Sequence, residues 1–65
     1  MPVINGERID DAAGKSIAEY LAQAGFDAKR VAVELNLEIV PPEAFATTIL
    51  SERDSVEIVQ FVQGG

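Results

Sequence analysis

One short helix sets the terms for everything else in this chain. Ser16-Ile17-Ala18-Glu19 reads as a capping box: the Ser16 hydroxyl accepts from the amide of Glu19, and the Glu19 side chain reaches back. Ile17, Leu21 and Ala24, with Tyr20 beside Leu21, recur at helical spacing and predict one apolar face. Gly25 sits where a left-handed residue stops a helix, and Phe26 is expected to fold back onto the core. A helix of about ten residues is marginal alone in water. It has to lay its apolar face on a sheet.

The flanking segments supply that sheet. Asn5-Gly6 lies between Pro2-Val3-Ile4 and Glu7-Arg8-Ile9, and Asn-Gly between apolar-containing runs signals a type I′ hairpin, predicted over residues 2–5 and 7–10. Asp10 to Gly14 reads as a polar, small-residue loop. Beyond the helix, Asp27 to Arg30 connects to Val31, Val33 and Leu35, which alternate with Ala32 and Glu34 as in a half-buried strand. Asn36-Leu37-Glu38 turns the chain, Ile39-Val40 resumes it, and Pro41-Pro42 ends regular pairing because proline has no amide donor. Pro42 to Phe45 predicts one helical turn with Phe45 inward, Thr47 to Leu50 a short edge strand, and Ser51 to Ser55 a charged turn. A final strand is predicted from Val56 to Val62. This order of elements is that of an α+β, β-grasp domain over residues 1–62: a mixed four- to five-stranded sheet packed on one helix, with the last strand parallel to the first. Residues 63–65 are expected to form a flexible tail.

Composition narrows the chemistry. With neither Cys nor His in 65 residues, no disulfide, Cys-His or Ser-His nucleophilic system, or His-based zinc site is available. Eleven acidic against five basic residues give a net charge of −6, which disfavours nucleic acid. The acidic residues, Glu34, Glu38, Glu43, Glu52, Asp54 and Glu57 among them, serve either solubility or a basic partner surface. No apolar run is long enough for a bilayer, and Met1-Pro2-Val3-Ile4 passes at once into polar residues, so neither membrane nor signal peptide is expected, and the cytoplasm is the expected location.

The last strand runs into Gln63-Gly64-Gly65. Glycine projects no side chain, so such a tail is thin. Taken alone it is either a frayed end or a working one. Alternation along the strand assigns Val56 and Ile58 to the core with Gln60 and Val62 on the same side, and Glu57, Val59 and Phe61 to the outer sheet face. Val59 and Phe61 there read either as a partner-docking pair or as a partly covered edge cluster.

Several segments in order, Asn5-Gly6-Glu7, Val31-Ala32-Val33-Glu34-Leu35-Asn36, Glu38-Ile39-Val40-Pro41, Asp54-Ser55-Val56-Glu57-Ile58-Val59 and Gly64-Gly65, closely resemble the small ubiquitin-like sulfur carriers of thiazole biosynthesis, the ThiS family. The likeness covers essentially the whole chain. It departs at two turn positions: the family often has Gly where this chain has Leu37, and Gly-Asp where it has Arg53-Asp54.

The resemblance implies a protein substrate and carrier, with catalytic groups supplied by its partners. A ThiF-like adenylating enzyme would use ATP to convert the Gly65 carboxylate into an acyl-adenylate. A persulfide donor would then yield a thiocarboxylate, and a ThiG-like thiazole synthase would receive the sulfur. No cofactor or metal would be bound by the carrier itself. Physical chemistry agrees with each step. A free carboxylate is a poor electrophile and adenylation gives it a leaving group. Gly64 and Gln63 would thread a narrow active site beside Gly65. A chain without Cys has no thiol side chain to carry the sulfur. Three other readings remain: a molybdopterin-type or other ubiquitin-like sulfur carrier, a β-grasp interaction module without tail chemistry, and, least favoured by the residue inventory, a small enzyme.

Overall fold

The computed structural model describes residues 1–61. A tight hairpin, β1 (Val3–Ile4) and β2 (Glu7–Arg8), comes first and is followed by helix α1 (Ile17–Ala24). Strands β3 (Val31–Leu35) and β4 (Glu38–Val40) form a second hairpin, and β5 (Ser55–Gln60) ends the domain. The five strands make one sheet in the order β2-β1-β5-β3-β4. β5 lies parallel to β1 and antiparallel to β3, so the last strand of the chain is the middle strand of the sheet. This is the predicted mixed sheet on one helix, with parallel first and last strands.

Helix α1 forms as its sequence requires. Ser16 Oγ accepts from the Glu19 amide at 3.0 Å, and Glu19 Oε1 accepts from the Ser16 amide at 2.8 Å. Gly25 takes φ 85°, its amide donates to the Ala22 carbonyl, and that of Phe26 to the Leu21 carbonyl, closing the helix in a Schellman motif. Ile17, Tyr20 and Leu21 are buried against Ile4, Val31, Val33, Val56 and Ile58 of the sheet, and Phe45 and Leu50 complete the core from the connecting segment.

Two predictions need correction here. Ala24 shares the angular face of Ile17 and Leu21 but is exposed. It lies in the last turn, where Phe26, folding back, packs against the core instead. The stretch Thr47 to Leu50 is not a strand of the sheet; its one β-bridge joins Ser16 to Ile49. The Thr48 carbonyl accepts from the Ile17 amide, the Leu50 amide donates to the Lys15 carbonyl and the Leu50 carbonyl accepts from the Gly14 amide, so this stretch pairs with the segment entering the helix and caps one of its unpaired amides. The Asp10 to Gly14 segment is the predicted loop, and within it Ala12 is fully buried. The remaining differences are in length. The first hairpin is two residues per strand, β5 begins at Ser55 and is assigned as far as Gln60, and Val62 lies outside the described residues.

Candidate functional site

The residues singled out by sequence lie at the far end of β5 and beyond. Gln63, Gly64 and Gly65 fall outside the described residues. What the structure describes is the strand that leads to them. β5 is paired on both sides, by β1 and by β3, with Val56 and Ile58 buried as predicted. Past the strand end, the Phe61 amide still donates to the Arg30 carbonyl at 2.7 Å. The stem of the tail is thus held to within a few residues of Gly65.

Two asparagine side chains also hold β5. Asn5 Oδ1 accepts from the Ile58 amide at 2.7 Å, and its Nδ2 donates to the Ile58 carbonyl at 3.2 Å. Asn36 Oδ1 accepts from the Ser55 amide at 2.9 Å, while the Asn36 backbone N–H donates to the Ser55 carbonyl at 2.7 Å. Each asparagine sits in a hairpin turn at positive φ, 53° and 52°, a conformation asparagine tolerates better than most residues. Asn36 Nδ2 donates to Asp54 Oδ1 at 3.1 Å, and Asp54 Oδ2 accepts from the Ser51 backbone amide at 2.8 Å. Partial burial raises the pKa of the Asp54 carboxyl, but the hydrogen bonds from Ser51 and Asn36 outweigh it and hold the group below its ordinary value. Sequence reasoning recognised both asparagines as turn residues and missed their grip on β5. A side chain's distant partner leaves no periodic trace in the sequence.

Val59 and Phe61 do not form one patch. Val59 stands on the open sheet face opposite Ala32, 58% exposed. Phe61, 54% exposed, lines a groove of about 540 Å³ on the helix side with Ala18, Lys29, Val31, Pro42 and Phe45. Alternation holds for β5 itself, but Phe61 lies beyond the regular strand, where it turns toward the helix layer.

The open face brings together residues that sequence reading named only singly or passed over. In the register of the sheet Ile39, Glu34 and Glu57 form one row across β4, β3 and β5, with the two carboxylates directly opposite each other. Ile39 is 75% exposed, and Leu37, at φ 72° in the β3–β4 turn, is 90% exposed. Among the described residues no three His, Cys, Asp or Glu side chains stand close enough to hold a metal ion, and no helix is long and apolar enough to cross a membrane.

Comparison with known proteins agrees with this geometry. The profile of the ThiS family matches residues 3–65. The thiazole synthase of Paramagnetospirillum magneticum is 43% identical over 63 residues, which are 97% of this chain but 19% of that protein's length. The sulfur carrier protein ThiS of Bacillus subtilis is 42% identical over 50 residues, 77% of this chain and 76% of its own. The crystal structure of the thiamine biosynthesis protein ThiS from Geobacter metallireducens superposes with a TM-score of 0.79 at 34% identity, covering 98% of this chain and 97% of that one. A β-grasp sheet whose central strand leads to Gly64-Gly65, matched by sequence and by structure along its length, shows that the chain belongs to the ThiS family.

Proposed function

We propose that this protein is a sulfur carrier of thiamine biosynthesis and that Gly65 is its acceptor residue. The observation that carries this reading is the family match, which runs through the last strand and the tail to residue 65. In the proposed cycle, the Gly65 carboxylate attacks the α-phosphorus of ATP on a ThiF-like adenylating enzyme, and pyrophosphate leaves. The terminal sulfur of a protein persulfide then attacks the acyl carbon and AMP leaves. A thiol reduces the resulting acyl disulfide to the thiocarboxylate, which delivers its sulfur to a thiazole synthase. Two of the relatives carrying a similar segment are themselves named thiazole synthase, which supports that enzyme as the receiving partner.

The chain's own contribution is positional. β5 is anchored on both sides and by two asparagine side chains, while Gly64 and Gly65 carry no side chain. A small residue at each of the last two positions lets the backbone pass where a β-carbon would clash. The protein acts as substrate for its partners in the cytoplasm, and their active sites supply the chemistry.

The test is the intact mass of the chain after incubation with its adenylating enzyme, ATP and a sulfide source. Exchange of one carboxylate oxygen for sulfur is expected, followed by loss of that gain on adding thiazole synthase. An unchanged mass in an assay where an authentic carrier is modified would overturn the proposal. Modification by a molybdopterin-type adenylating enzyme alone would move the chain to that branch.

A further inference from the structure

The two edges of the sheet are built differently. β2, at one edge, carries Glu7 and Arg8, both charged and exposed. Charged side chains on an edge strand discourage pairing with another chain. β4, at the other edge, has Ile39 at its centre and Leu37 just before it, both largely exposed, and its one charge is Glu38. The hydrogen-bond pattern shows what this edge offers. The Asn36 amide donates to the Ser55 carbonyl and the Phe61 amide to the Arg30 carbonyl, so between them Ala32 and Glu34 are the β3 residues bonded to β5. Val33 and Leu35 therefore bond to β4, through their partners Val40 and Glu38. The N–H and C=O of Ile39 point away from the sheet.

We propose that β4 pairs antiparallel with β4 of a second copy of this chain, about a two-fold axis at Ile39. The edge is self-complementary in that register alone. Centred on Ile39, the two outward N–H groups meet the two outward carbonyls, the Ile39 side chains lie side by side, and Glu38 stands opposite Val40 of the second copy. Centring on Glu38 sets two carboxylates directly opposite, where like charges repel. Centring on Val40 sets Ile39 opposite Pro41, which has no N–H to donate. The strand has three residues, so the contact is narrow and the dimer belongs among weak, transient assemblies. Each copy carries a net charge of −6, so screening by salt strengthens the pairing. β4 runs parallel to β5 and is two strands away from it. The two β5 strands therefore end at opposite ends of the joined sheet, and the contact covers neither.

The experiment is sedimentation equilibrium of the 65-residue chain up to millimolar concentration, at low and high salt. A monomer–dimer equilibrium that shifts toward dimer as salt rises is expected. Ile39→Lys places a charge on the edge, as on β2, and is expected to abolish the dimer even though it lowers the net repulsion between copies. A synthetic chain N-methylated at Ile39 keeps the side chain and loses only the outward donor, and it too is expected to stay monomeric. Thermal midpoints near that of the unmodified chain, measured at low concentration, separate lost pairing from lost folding. A chain that stays monomeric at millimolar concentration in high salt overturns the proposal. A dimer that survives N-methylation also overturns it, because the contact then does not run through the strand edge.

Discussion

The two hairpin turns of this domain solve one problem with unequal means. Both are two-residue turns with positive φ at each position: Asn5 and Gly6 in one, Asn36 and Leu37 in the other. In both, the asparagine side chain leaves its own hairpin and binds the backbone of β5, at Ile58 and at Ser55. The difference lies in the second residue. Gly6 takes φ 81° without a β-carbon to strain. Leu37 takes φ 72° with a branched side chain in full solvent. A left-handed conformation costs an L-residue roughly 1–2 kcal/mol. The local rule for a type I′ turn favours glycine at this position, and tertiary packing gives no compensation that this chain displays.

The comparison breaks most decisively at the asparagines. Asn5→Ala removes two part-buried hydrogen bonds and leaves the Ile58 amide without its side-chain acceptor. The expected loss is about 2–3 kcal/mol, out of the 3–5 kcal/mol or so that a core this small typically supplies. Urea unfolding followed by circular dichroism measures it. Asn36→Ala acts on exposed groups that water can satisfy, and about 1–2 kcal/mol is expected in the same assay. If the two losses come out equal, the idea that Asn5 is the stronger hold on β5 fails.

The second turn positions come next. Leu37→Gly should stabilise the domain by about 0.5–1 kcal/mol, the relieved strain less the greater freedom of glycine in the unfolded chain. Gly6→Leu should cost a similar amount, since an added β-carbon there meets no atom within 4 Å and only the φ angle opposes it. A destabilised Leu37→Gly variant would mean that the Leu37 side chain contributes packing to the isolated domain, contrary to its exposure.

The smallest effect is a pH dependence at the second turn. The Asp54 carboxyl is held below its ordinary 3.8. A carboxyl with a lower pKa in the folded than in the unfolded chain adds stability above the unfolded value and loses it as pH falls through the folded one. Stability is therefore expected to fall on acidification below about pH 4, the range of an unperturbed Asp. Asn36→Ala, which removes one of the hydrogen bonds responsible, should flatten that decline. An identical slope in both proteins would mean that Asp54 titrates independently of Asn36.

Much of the fold was legible in the residues. The capping box at Ser16, the stop at Gly25, the Asn5-Gly6 turn and the alternation at Val31 to Leu35 are local signals, and each named its element correctly. The Thr47 to Leu50 stretch misled because apolar and β-branched residues describe a strand wherever its hydrogen bonds end up. Here they go to the segment that enters the helix, at Gly14, Lys15 and Ile17. Phe61 was misplaced for a related reason: alternation predicts a face only while the strand remains regular.

Sequence by itself determined most of the elements, the lack of thiol and imidazole side chains among these 65 residues, and the segments, Gly64-Gly65 among them, that carry the family resemblance. These follow from residue type and short-range spacing. Tertiary structure alone decided that β5 is the central strand, that two turn asparagines anchor it, and that Glu34 faces Glu57. The reason is that strand order and register arise when segments far apart in the chain meet. Asn5 and Ile58 are separated by almost the whole domain, and no local pattern in either records the other.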